Sequence, residues 1–100
     1  MRILCPEHGL QDGVLISDDL AKRRKMPIQT IIYTFESRPI GVYFVSNEFA
    51  ESRGIQEGTY PLLDDLLEWT LELRPICKQC LASIHNGHIT ADHQWVEGTE

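Results

Sequence analysis

The feature that most constrains this chain is a pair of half-built metal sites near its two ends. Cys5-Pro6-Glu7-His8 offers a thiol and an imidazole, and Cys77-Lys78-Gln79-Cys80 offers two thiols at the same spacing. Two ligands separated by two residues can turn about one ion, because a tight knuckle or a first helical turn aims both side chains at one point. Neither half holds an ion tightly alone. Zinc takes four Cys and His ligands in tetrahedral geometry, and closed structural sites draw all four from protein. Cys5, His8, Cys77 and Cys80 together make a Cys3His set that uses all 3 cysteines of the chain. One ion held by all four requires residues 9–76 to fold between the two knuckles. The N-terminus then becomes part of the fold. The expected cofactor is a structural Zn2+. Its filled shell leaves no position for water, which argues against catalysis at the metal.

Two other uses of these residues compete with that set. A C-x2-C pair at a helix N-terminus can run thiol–disulfide exchange, since the helix dipole favours the first thiolate. That chemistry wants a strand directly before the pair, whereas the pattern here predicts a helix ending at Arg74-Pro75. A rival metal set lies within Cys77–His88, as C-x2-C-x4-H-x2-H through His85 and His88. It is similar to the retroviral-type zinc knuckle in three positions, but Thr90 stands where the fourth ligand would be. The plainest alternative makes Cys5 a small buried hydrophobe and His8 a loop residue.

The rest of the chain reads as one α+β domain over residues 1–97 with a loose tail over 98–100. At 100 residues a single core is feasible, with the modest stability margin of short chains. MRIL (1–4) and VLIS (14–17) read as short strands, and 17–27 as a helix capped by Ser17 and ended by Pro27. IQTIIYTFE (28–36) and IGVYFVS (40–46) are rich in β-branched and aromatic residues and read as a hairpin across Ser37, Arg38 and Pro39. Ile28 and Ile32 mark one apolar face of the first strand. Ile31, Tyr33 and Phe35 mark the other, so this strand is expected to be central. NEFAESRG (47–54) reads as a short helix capped at Asn47 and stopped by Gly54. Leu62, Leu66, Trp69 and Leu73 recur at helical spacing. With Thr59 as cap and Pro61 in the first turn they predict an amphipathic helix over 59–75. A further helix is expected over 77–87, with Asn86-Gly87 as its stop, and a strand over 88–97. The expected architecture is a small, mainly antiparallel sheet packed on the 59–75 helix and stapled by zinc.

The C-x2-H…C-x2-C layout and the hairpin-to-helix order broadly resemble zinc-ribbon and treble-clef domains. That resemblance implies a knuckle, a hairpin and a helix whose N-terminus carries the second pair. It covers only those parts and departs in the long insertion between the pairs, so no family function follows from it.

Charge narrows the partners. The net charge of −6 disfavours general binding to phosphate backbones. Lys22-Arg23-Arg24-Lys25 is the sole basic run. It can serve a nucleic-acid adaptor, but it also suits a helix C-terminus answering its own dipole. Asp64, Asp65, Glu68 and Glu72 fit the solvated face of a helix better than an acid–base pair. No phosphate-binding glycine loop, dinucleotide fingerprint or nucleophile elbow is present. No apolar run is long enough to span a bilayer or to make a signal peptide, and an odd number of cysteines suits a reducing compartment; the expected setting is cytoplasmic. The functional expectation is a non-enzymatic zinc-binding protein-interaction or regulatory module. The nucleic-acid adaptor and the Cys77/Cys80 oxidoreductase stand as alternatives.

Overall fold

The two runs richest in β-branched and aromatic residues form the centre of the protein. In the computed structural model, which describes residues 2–22, 26–61 and 68–98, β3 (Ile28–Phe35) and β4 (Arg38–Ser46) pair antiparallel from Ile28↔Ser46 to Phe35↔Arg38. The connection is tighter than the sequence suggests. Only Glu36 and Ser37 lie between the strands, with φ of 51° and 65°. Two left-handed residues in succession give the primed turn whose twist matches that of the flanking strands. Arg38 and Pro39, expected in the loop, begin β4. The register shifts between Tyr33 and Thr34, leaving an extra residue at Ile40 on β4, a bulge that bends its start.

Other strands build outward on both sides. β5 (Gly58–Pro61) runs parallel to the far edge of β3, so β3 is indeed internal. β2 (Gly9–Ile16) runs parallel to β4 through Leu15↔Tyr43 and Ile16↔Phe44. The first half of β2 pairs antiparallel with β1 (Arg2–Cys5), and its second half pairs antiparallel with β6 (Arg74–Cys77). The sheet has the order β1-β2-β4-β3-β5 with β6 on β2. It is mixed, because two of these pairings are parallel.

Strand alternation sends alternate residues to opposite faces, and both faces are covered. On one face Val14, Ile16 and Phe44 pack with Leu20 of α1 (Asp18–Lys22) and Leu81 of α3 (Lys78–His85). On the other, Ile31 and Val45 pack with Ala50 of α2 (Asn47–Arg53), Trp69 and Leu73. Tyr33 and Tyr43 flank Trp69, with Tyr43 edge-on at 5.5 Å between ring centroids. Desolvation raises both tyrosine pKa values, as expected of rings drawn into this layer. Phe35, expected on an apolar face, lies past the covered region and is exposed.

The amphipathic helix expected over 59–75 is replaced at both ends. Residues 58–61 are β5, residues 74–77 are β6, and Glu68–Glu72 is a short 3-10 helix. Residues 62–67, with Asp64 and Asp65, lie outside the described residues. Trp69 and Leu73 are buried as their spacing implied, but by a 3-10 turn against the sheet. Pro61 and Pro75 do not bound a helix here; both sit in strands paired on one edge, where a missing N–H is tolerated. The strand expected over 88–97 is a small hairpin of β7 (Gly87–Ile89) and β8 (Trp95–Glu97). Of the tail expected to be loose, Gly98 hydrogen-bonds to the Asn86 carbonyl, and 99–100 lie outside the described residues.

A polar knot ties the helix starts to the strand ends. Ser17 donates to Asp19 at 2.6 Å, Ser46 donates to the other oxygen of Asp19, and the Ser46 N–H donates to the Ser17 hydroxyl. Ser46, one residue before the expected Asn47, caps α2 by accepting from the Phe49 N–H, and Gly54 closes the helix in the left-handed conformation. Ser17 and Ser46 are fully buried, yet each is satisfied through Asp19.

Candidate metal centre

The N-terminal half-site is a strand turn. β1 ends at Cys5, Pro6–His8 make the turn, and Gly9 opens β2 with φ 74°, a left-handed position suited to glycine. Cys5 and Gly9 face each other in register. The second half-site begins where β6 becomes α3. Cys77 is the N-cap residue, and its sulfur accepts the Cys80 N–H at 3.2 Å. Cys77 lies opposite Gly13 in the β6–β2 pairing. One strand, β2, therefore carries the knuckle at its start and holds Cys77 beside its middle. That shared strand is what joins the two ends of the chain.

All four ligand atoms converge. His8 Nδ1 lies 3.5 Å from Cys5 Sγ and 3.4 Å from the sulfurs of Cys77 and Cys80. The sulfurs of Cys5 and Cys80 are 3.5 Å apart. All four atoms lie within 4.8 Å of one another, close enough to hold a metal ion. A tetrahedral ion with bonds of about 2.0–2.3 Å places its ligands about 3.6–3.8 Å apart, so this cage has the right size. An ion on Nδ1 leaves the ring proton on Nε2.

The electrostatics suit a cation. Backbone N–H groups of Glu7 and His8 point at the Cys5 sulfur and lower its pKa to about 6. Burial, and then the neighbouring thiols of Cys77 and Cys5, push Cys80 up to about 12. A dication in the pocket would favour the charged form of Cys80 against these causes. Gln11 supports the knuckle from outside. Its side chain donates to the His8 carbonyl at 2.9 Å and accepts from Gln79 of α3 at 3.2 Å. Nothing in the sequence marked Gln11, because its role depends on β2 lying beside α3.

The rival ligands go elsewhere. His85 is buried and its Nε2 donates to the Leu20 carbonyl at 2.8 Å, tying α3 to α1. Its ring stands edge-on to Trp95. His88 is exposed on β7, and neither joins the cluster. One objection to the redox alternative falls, because a strand, β6, and not a helix, precedes the C-x2-C pair. Of the basic run, Lys22 pairs with Asp18 at 2.8 Å, and residues 23–25 lie outside the described residues. Glu72 is committed to Arg53 in a two-pronged ion pair, and Glu68 is exposed. Among the described residues, no helix is long and apolar enough to cross a membrane.

No family model, curated protein or solved structure matches this chain. Its function rests on the site itself.

Proposed function

We propose that this protein is a small structural-zinc domain, spanning residues 1–97, that works without catalysis as a protein-interaction or regulatory module in a reducing, cytoplasmic setting. The observation that carries the reading is the convergence of one imidazole and three thiols from distant parts of the chain into one cluster close enough to hold a metal ion. Soft thiolates with one imidazole in tetrahedral array favour zinc among the common divalent ions. Four protein ligands leave no open position for substrate. The ion ties the β1–β2 hairpin to the start of α3, and that hairpin carries Leu4 and Leu10, opposite each other in register and both largely exposed. Such a pair is suited to a protein surface.

Metal analysis of wild type beside Cys5→Ser and His85→Ala tests the ligand set. One zinc per chain is expected in wild type and His85→Ala, and none in Cys5→Ser. A zinc-free wild type, or loss confined to His85→Ala, rejects it. The second reading, thiol–disulfide exchange at Cys77 and Cys80, draws support from the strand-to-helix junction that carries them. It predicts turnover of a disulfide substrate by metal-free protein that survives Cys5→Ser.

A further inference from the structure

We propose that the four-ligand centre is also a peroxide-responsive release site, in which Cys80 is oxidised first and Cys5 closes on it, so that a Cys5–Cys80 disulfide replaces the ion as the staple of the fold. This rests on the metal reading above and adds a regulation of the same site. Cys80 is the one cysteine of the three whose residue is partly exposed, while Cys5 and Cys77 are buried. A small oxidant therefore meets Cys80 first. Cys5 Sγ stands 3.5 Å away. Bonding needs a sulfur separation of about 2.05 Å, a closing motion of about 1.5 Å. A bond from Cys77 to Cys80 would instead have to form where the Cys77 sulfur caps α3 by accepting the Cys80 N–H.

The chemistry balances with a peroxide as the oxidant. The Cys80 sulfur, which a bound dication would hold as thiolate despite its burial, attacks one peroxide oxygen, the O–O bond breaks, and Cys80 becomes a sulfenic acid as hydroxide departs. The Cys5 thiolate then attacks the Cys80 sulfur. The S–S bond forms, the S–O bond breaks, and a second hydroxide leaves. Two thiolates lose two electrons to one peroxide. Only Cys77 and His8 remain for the ion, half of the shell that zinc requires, so it departs. The new bond still joins β1 to α3, so the hairpin stays tethered after the metal has gone. A Cys77–Cys80 bond would instead leave β1 untied.

The test is to treat the zinc-loaded full chain with hydrogen peroxide. A chromophoric chelator reads released zinc, and unreduced peptides map the disulfide, both in the wild-type chain. Metal content before peroxide checks the zinc reading separately. Expected are one zinc released per disulfide formed, a Cys5–Cys80 link with Cys77 free, and zinc binding regained after reduction by a dithiol. A Cys77–Cys80 link overturns the proposal, as does retention of zinc under peroxide, or over-oxidation of Cys80 with no disulfide. A chain that holds zinc but fails in these ways leaves the metal reading standing. A chain with no zinc beforehand removes both.

Discussion

The β1–β2 and β3–β4 hairpins are both antiparallel, yet different forces hold them. β3 and β4 bury Ile31, Phe44 and Val45 completely, with helices and aromatic rings on both faces. Over its pairing with β1, β2 buries no residue, and β1 buries only Cys5. A fully buried large apolar side chain contributes about 1.5–3 kcal/mol, a contribution the β3–β4 hairpin makes several times over and the β1–β2 hairpin hardly at all. An isolated two-stranded hairpin is marginal in water. The N-terminal hairpin therefore depends on its cysteine and histidine, and its order should follow the metal while the central hairpin follows the core.

The strongest way to break this contrast is Phe44→Ala. It empties a site between β2, β4 and the helices, and is expected to cost about 3–5 kcal/mol. Both hairpins should then lose hydrogen-exchange protection together. Chelation is expected to separate them. Releasing a cross-link between residues 5 and 77 removes about 4 kcal/mol of loop-closure stabilisation. β1–β2 amides should exchange freely while β3–β4 amides keep most of their protection, and deleting residues 1–8 should mimic it. Uniform loss across both hairpins would mean that the knuckle is integral to the core. Ser37→Gly should act on the central hairpin alone. Relieving one left-handed non-glycine residue is expected to gain about 1 kcal/mol, or roughly 4–8 °C in Tm, with zinc affinity unchanged.

The smallest effect is electrostatic. Lys22 and then Arg74 lower the pKa of Asp18, and Arg53 lowers that of Glu72. Each carboxylate protonates in the unfolded chain before the folded one. Their stabilisation is therefore present above the ordinary carboxylate range, about pH 4–5, and lost as pH falls through the lower folded values. Both groups are half exposed, so salt screens the effect. The Tm gap between wild type and Asp18→Asn/Glu72→Gln should be small at pH 7 and close as pH falls through the lowered folded values. A gap that widens in acid would contradict the sign.

Much of the candidate site is legible because ligand chemistry is local. The two-residue spacings of Cys5/His8 and Cys77/Cys80, and the use of every cysteine, suffice to name four residues that the fold brings together. The centre of the sheet is legible too. Ile28 and Ile32 on one face and Ile31 and Tyr33 on the other give the apolar residues on both sides that a strand covered on both faces carries. The stretch 59–75 misleads because helical spacing records which residues are buried, not what backbone buries them. Trp69 and Leu73 do reach the core. Their neighbours at 58–61 and 74–77 become strands only because β3 and β2 offer open edges. Edge pairing with a distant strand leaves no periodic trace in the segment that joins it.

The sequence by itself therefore determined the ligand chemistry, the central hairpin and the caps near Ser46 and Gly54, since each follows from residues a few positions apart. Tertiary structure alone decided that β2 is shared between β1 and β6, that Gln11 braces the knuckle against α3, and that His85 is spent on Leu20. Those outcomes hang on which distant backbone lies alongside which, and hydrogen bonds between remote strands are indifferent to the side chains that would announce them.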